Sequence, residues 1–214
     1  MKTIAIIPAK GNSIRIPGKN CKILGDKPLV AWTIEFANKL YEKELINDII
    51  LSTNSKEIEG IAGDYGNSNI IIHKRSEEFC VDNVTNLGVV REIAKGLNGY
   101  DYILLLQPTS PFRKIETFKR LFVDCVPTNN GNWFIRSYYH QKGLLFEYIE
   151  DIVPLKTYAG IIYRTGTFYL YSKAFIKDLK YKELRTFVTW HEAININTQD
   201  DWELAECIAE RFKI

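Results

Sequence analysis

The chain contains no apolar run approaching the length needed to span a bilayer, so a membrane helix is not expected. Its four cysteines, Cys21, Cys80, Cys125 and Cys207, stand far apart and form no C-x-x-C pair. That spacing argues against a zinc site or a disulfide framework and predicts reduced thiols in a cytoplasmic protein. A charge excess is also missing. The 28 Lys and Arg residues against 26 Asp and Glu leave a net charge of +2, too small to argue for a nucleic-acid surface. Met1-Lys2 leads directly into an apolar stretch, and no cleavable leader is expected. No internal repeat, low-complexity tract or disordered linker interrupts the chain. Two well-known phosphate loops are absent as well. No G-K-[ST] closes a Walker A loop, and no G-x-G-x-x-G follows a strand, which argues against a dinucleotide-dependent dehydrogenase.

What is present fits one α/β domain of 214 residues with at most a small appendage. The composition, 46% hydrophobic and 25% charged, is that of a globular protein. Short β-branched runs at Ile4–Ile7, Asp48–Thr53, Asn69–His73 and Asp101–Leu106 predict strands. Helices are expected at Leu29–Lys39, after the Asn54-Ser55 cap, from Asp82–Asn86 to about Lys95, and at Gln199–Phe212. In the last of these, Trp202, Leu204, Ala205 and Ile208 are expected to face the sheet. Strands alternating with helices predict a mostly parallel sheet covered on both faces. From Asn130 to Thr157 the pattern shifts to aromatic and alternating residues, which predicts antiparallel strands. These aromatics form either a local core or a subunit interface.

Ligands bind at the carboxyl ends of such strands, and two loops fall there. The first, Pro8-Ala9-Lys10-Gly11-Asn12-Ser13-Ile14-Arg15-Ile16-Pro17-Gly18-Lys19-Asn20, combines three cations with two glycines that allow close backbone approach. A phosphate chain needs both features. The second is Gln107-Pro108-Thr109-Ser110-Pro111-Phe112-Arg113, which also reads as an N-capped helix start.

The first loop resembles P-A-R-G-G-S-K-R-I-P-G-K-N of the acylneuraminate cytidylyltransferases, the CMP-sialic acid synthetase family, departing at Lys10, Asn12 and Ile14. Leu106–Arg113 is similar to that family's L-Q-P-T-S-P-L-R in all but Phe112. Tyr163–Leu170 resembles its R-x-N-G-A-I-Y, with Thr165 and Thr167 replacing Asn and Ala. The resemblance extends from Ile4 to Glu206. It implies a Rossmann-like nucleotidyltransferase fold, akin to glycosyltransferase-A. This is a mixed, mostly parallel sheet sandwiched by helices in one domain, residues 1–214, with a small antiparallel arm at 130–165. It implies a cytidylyltransferase that moves CMP from CTP to an N-acylneuraminate or related nonulosonic acid, releasing pyrophosphate, for surface glycan synthesis. It also implies a homodimer formed through the arm.

By the same resemblance, Lys19 is the triphosphate lysine and Arg15 either assists it or is a surface arginine. Lys10, Gly11, Asn12, Ser13 and Asn20, with Arg75, Asp82 and Asn86, correspond to nucleotide contacts. Gln107 and Thr109 face the acceptor. Arg164 is a candidate for the acceptor carboxylate, since a guanidinium pairs bidentately with one, or it forms a salt bridge within the arm. The family's I-D-I-D-T, whose aspartates hold Mg²⁺, is here Ile194-Asn195-Ile196-Asn197-Thr198. Its T-D after the second strand is Thr53-Asn54. Asn keeps an oxygen ligand without the charge that Mg²⁺ prefers. The expected cofactor is therefore Mg²⁺, or Mn²⁺, held weakly by Asn195, Asn197 and Asp201. Asp82 and Asp200 are further candidates, although helix starts explain both. Three changes, at Lys10, Thr165 and Thr167, leave room for a different acceptor. The two asparagines leave room for a CTP-binding homologue with reduced or no catalysis.

Overall fold

The computed structural model describes residues 1–81, 84–125, 133–141, 161–172, 176 and 182–212. Alternating side chains on β1 (Thr3–Pro8) are buried on both sides. Ala5 and Ile7 enter one hydrophobic cluster while Ile4 and Ile6 enter another. A strand with both faces buried has to lie inside a sheet with cover above and below. β1 pairs in parallel with β4 (Asp48–Thr53) on one side and with β6 (Tyr102–Leu105) on the other. β4 in turn pairs in parallel with β5 (Ile70–Lys74). Beyond β6 the sheet turns antiparallel through β8 (Ile161–Ser172), then β7 (Trp133–Gln141), with β9 (Lys182–Phe187) parallel to β7 at the edge. The sheet order is β5-β4-β1-β6-β8-β7-β9. The chain steps outward from β1 to β4 and β5, then returns to place β6 on the other flank of β1. That reversal lies between β1 and β6, where an open α/β sheet leaves a crevice at its carboxyl edge.

Helices α1 (Leu29–Glu42), α2 (Lys56–Tyr65) and α4 (Ile115–Cys125) cover one face, with Ile34, Leu40, Ile58, Phe118 and Leu121 in the first cluster. Helix α3 (Asn86–Lys95) covers the other with Val89, Val90 and Ile93. Each fully buried aliphatic side chain contributes about 1.5–3 kcal/mol. Caps fall where the sequence supplies them. Ser55 Oγ accepts from the Ile58 N–H at 3.4 Å and Thr85 Oγ1 from the Gly88 N–H at 3.1 Å. Among the described residues no helix is long and apolar enough to cross a membrane. Cys21, Cys80 and Cys207 are free thiols.

A two-stranded hairpin, β2 (Ile23–Leu24) with β3 (Lys27–Pro28), turns at residues 25–26. Two expectations change. The last helix, α5 (Gln199–Phe212), contributes to neither of the two clusters that cover the main sheet. Its Trp202, Ala205 and Ile208 instead join Leu24, Leu29, Trp32, Phe112 and Ile196 in a third cluster. Leu204 is 49% exposed, because it is two residues from Trp202 and so points to the opposite side of a helix with 3.6 residues per turn. The arm expected at 130–165 is described at 133–141 and 161–165 only, and there it is paired as β7 and β8 of the main sheet.

Candidate functional site

Because β1, β4, β5 and β6 run parallel, the loops that leave them emerge on one edge of the sheet. Segment 9–20 follows β1, Asn54-Ser55 follows β4, Arg75 follows β5 and segment 106–114 follows β6. Between them lies a cavity of about 460 Å³. Lys10, Ser13, Arg15, Lys19 and Asn20 line it from the first loop, Arg75 and Asn86 from the second bank, Gln107 and Thr109 from the third, and Asn197 from the segment before α5. The sequence singled out all ten of these residues. A larger depression of about 710 Å³, lined by Trp32, Phe36 and Phe112, lies between α1 and residues 111–116 and holds none of them.

The first loop is held by its own polar groups. Gly18 takes a left-handed conformation (φ 62°), and the Cys21 N–H returns to its carbonyl at 2.8 Å. Asn20 is buried and donates from Nδ2 to the Lys10 carbonyl at 2.9 Å, which ties the two ends of the loop together. Gly11 departs from expectation. Its N–H is not offered to a ligand but donates to Asn54 Oδ1 at 2.9 Å. A Cβ at Gly11 would stand 2.9 Å from Ser55 Cβ, so the residue serves loop-to-loop packing. Asn12 is exposed and does not line the cavity.

Lys19 is half-buried and donates from Nζ to the Ile196 carbonyl at 2.9 Å. Burial lowers its pKa below the ordinary 10.5. The charges of Arg15 and Lys10 push the same way, and Asp201 opposes them. The Ile196 N–H in turn donates to the Thr109 carbonyl at 2.8 Å, so three distant segments meet at this lysine. Arg75 is buried and spends its guanidinium on Ser52, from Nε to Oγ (3.2 Å) and from Nη2 to the carbonyl (3.1 Å). Desolvation depresses its pKa. His73 Nδ1 lies 3.1 Å from the same hydroxyl, and burial followed by the Arg75 charge lowers the pKa of that ring.

A buried polar girder behind the cavity carries residues to which the sequence reading gave no role. Arg113 donates to the Thr167 carbonyl in β8 (2.7 Å), to Thr33 Oγ1 in α1 (3.0 Å) and to the Gln107 carbonyl (2.6 Å). Glu192, 1% exposed, accepts from the Lys114 N–H, Thr117 Oγ1, the Thr189 N–H and Thr189 Oγ1 at 2.9–3.2 Å. Its carboxylate opposes the effect of burial on Arg113. These pairs span up to 80 positions of chain, and no local pattern announces them. Phe79, Val81 and Val84 add an apolar bank beside Arg75 that the sequence reading also missed.

The metal-facing expectation fares differently at each residue. Asn197 lines the cavity. Asn195 does not. It sits behind the wall, with Nδ2 3.0 Å from where a Cβ on Gly166 would stand, and its Oδ1 is buried without a hydrogen-bond partner. Asp201 is committed as a helix cap, one oxygen accepting the Asn197 and Thr198 N–H groups at 2.8 Å each. Among the described residues no carboxylate lines the cavity, and no cluster of three or more His, Cys, Asp or Glu is suited to a metal. This donor set does not fit a resident divalent ion held by carboxylates. Asp82 and the side chain of Arg164 lie outside the described residues; the backbone of Arg164 is in β8, opposite Tyr138.

Comparison with known proteins places this geometry. A family model described as cytidylyltransferase matches residues 4–183. CMP-N,N'-diacetyllegionaminic acid synthase of Legionella pneumophila is 32% identical, over 98% of this chain and 97% of that protein. N-acylneuraminate cytidylyltransferase of Escherichia coli is 29% identical over 98% of this chain, which spans about half (52%) of that longer relative. Among solved structures, CMP:2-keto-3-deoxy-manno-octonic acid synthetase complexed with CTP superposes with a TM-score of 0.68 at 13% identity, covering 99% of this chain and 100% of that one. The 4-diphosphocytidyl-2C-methyl-D-erythritol synthase of Anaerococcus prevotii gives 0.66 at 19%, covering 98% and 99%. At such identities the superpositions speak to the fold alone.

Proposed function

The chain belongs to the cytidylyltransferase family, and on that premise we propose that it transfers CMP from CTP to an acidic nonulosonic sugar. A sugar hydroxyl oxygen attacks the α-phosphorus, a new O–P bond forms, and the bond to the bridging oxygen of pyrophosphate breaks. The hydroxyl proton passes to solvent water, and the electron pair of the broken bond leaves on pyrophosphate. The observation that carries this reading is the cavity at the carboxyl edge, which Lys10, Arg15 and Lys19 line together with Gln107 and Thr109. In this reading the triphosphate lies along the first loop, and Lys19 meets the oxygen whose charge grows as the bond breaks. The base lies toward Arg75 and its apolar neighbours, and the acceptor toward Gln107 and Thr109, with Arg164 meeting its carboxylate. Where the transfer step uses Mg²⁺ or Mn²⁺, the ion would come with the triphosphate and supply positive charge to the leaving pyrophosphate.

The full-length match to the legionaminic acid synthase supports a nonulosonic acceptor, and the free thiols support a cytoplasmic location. The aromatic segment from Asn132 to Tyr158 supports a homodimer. The test is pyrophosphate release from each of CTP, UTP, ATP and GTP across a panel of sugar acids. Release with CTP and a nonulosonic acid is expected. Release only with a different acceptor class would overturn the acceptor. CTP binding without release from any acceptor would favour the second reading, a homologue without turnover, which the carboxylate-free cavity motivates.

A further inference from the structure

Among the described residues the cavity wall is charged in one sense only. Lys10, Arg15, Lys19 and Arg75 line it, and among the described residues no carboxylate does. Next in the chain to Ile196, whose carbonyl Lys19 contacts, Asn197 offers the cavity a neutral amide. The acid whose charge acts on Lys19 is Asp201, and one of its carboxylate oxygens is spent on the Asn197 and Thr198 N–H groups at 2.8 Å each. Behind the wall, the buried Oδ1 of Asn195 has no hydrogen-bond partner, yet it is an amide oxygen and brings no charge. Like charges facing one cavity repel each other and any added cation, and they attract a polyanion. The metal-free triphosphate carries more negative charge than its Mg²⁺ complex, so this wall favours the metal-free form.

We propose that the cationic side chains of the 10–20 loop hold the nucleotide by themselves, so that this chain has no resident divalent-ion site and binds metal-free CTP at least as tightly as the Mg²⁺ complex. The inference rests on the CTP reading above and adds to it the charge state of the bound ligand. It also requires that rising salt weaken binding, since exposed Arg15 contributes through solvent.

Two measurements on the wild-type protein test it. In the first, CTP is titrated calorimetrically in EDTA and in excess Mg²⁺. Affinity in EDTA equal to or above that in Mg²⁺ supports the proposal, whereas a loss of about tenfold or more in EDTA overturns it. Binding in neither buffer overturns the CTP reading, and the inference with it. In the second, Mn²⁺ is titrated into nucleotide-free protein and followed by electron paramagnetic resonance of the free ion. Absence of saturable binding below the millimolar range supports the proposal, and a micromolar site overturns it, with Asp82 the next residue to substitute. The variant Asn195→Asp/Asn197→Asp supplies a structural readout. A carboxylate in the cavity at 197, with a second behind the wall at 195, should weaken metal-free CTP binding about tenfold or more and make the melting temperature rise with Mg²⁺. A variant that binds and melts like the wild type in both buffers would remove the asparagines from the argument and overturn it.

Discussion

Lys19 joins three segments through the carbonyl it contacts, Ile196, whose own N–H reaches Thr109. Burial and the neighbouring Arg15 and Lys10 act against its charge, so the fold bears a cost for keeping an ammonium there. A charge held at a cost in the free protein and offset by an anion is what transition-state stabilisation requires. Lys19→Ala should therefore lower the rate of CMP transfer by at least about 100-fold, on the order of 3 kcal/mol, and leave the melting curve nearly unchanged. A variant with near-normal turnover would remove Lys19 from the chemistry. The pH dependence has a definite sign. With its pKa in the fold lowered from 10.5, Lys19 penalises the fold at low pH, where it is charged in both states. That penalty fades as pH rises through the lowered pKa towards the ordinary one. Activity runs the other way, because only the ammonium assists. The rate should fall on an alkaline limb that lies below the ordinary lysine range in kcat/KM and shifts upward in kcat once the triphosphate is bound. A pH profile flat up to 10.5 would contradict this. At this scale the sequence was informative about which residues meet and less so about how they are used. Gly11 spends its N–H on Asn54, and Asp201 spends a carboxylate oxygen on a helix start. Both uses are set by partners that a motif does not name.

The segment after β6 shows how an element is aimed. Its far end, Arg113, is buried and reaches β8, α1 and the Gln107 carbonyl at once, so the loop is clamped at both ends by one guanidinium. Arg113→Ala would leave three acceptors without their donor in a dry interior, and it should cost roughly 3–5 kcal/mol of stability. Arg113→Lys keeps the charge but not the planar fork, and it should lose less stability while still loosening Gln107 and Thr109. Since the 10–20 loop makes none of these contacts, the Lys variant should raise the KM for the acceptor several-fold with little effect on that for CTP. Equal rises in both would show that Arg113 acts on the whole site and not on this loop. Helices α1, α2, α3 and α5 were legible from apolar period and capping residues, as were the four parallel strands from their β-branched runs. The hairpin of two-residue strands was not, because so short a pairing leaves no periodic signature. Nor was β9, whose Lys-Glu-Leu-Arg-Thr-Phe run carries the charge of an edge strand and lacks the apolar run of an inner one.

The topology of the whole molecule decides where the site lies, and it was only half legible. Alternating strands and helices imply a parallel sheet, but the reversal that sets β6 beside β1 is a long-range pairing and has no local cause in the sequence. Once that pairing is made, residues 10–20, 107–109 and 197 can share one cavity. The dimer is a separate matter. If the aromatic segment from Asn132 to Tyr158 is an interface, light scattering at micromolar concentration should give about twice the mass of the 24.8 kDa chain, and a monomer would contradict it. Ligand binding tests the topology most directly. Nucleotide that touches the first loop, Arg75 and the segment before α5 bridges parts of the chain that are far apart in sequence. A ligand that binds the folded state alone adds about 2.7 kcal/mol at a concentration 100-fold above its dissociation constant. For a chain of this length, each kcal/mol raises the melting temperature by roughly 2–4 °C, so saturating CTP should raise it by about 5–10 °C. The same rise should survive in EDTA, because side-chain cations carry the contact. ATP at equal concentration should give a clearly smaller rise, since the proposed reading assigns the space beside Arg75, Phe79 and Val81 to cytosine. A larger rise with ATP than with CTP would reverse the base assignment. No rise with any nucleoside triphosphate would mean that the three segments do not close on a shared ligand.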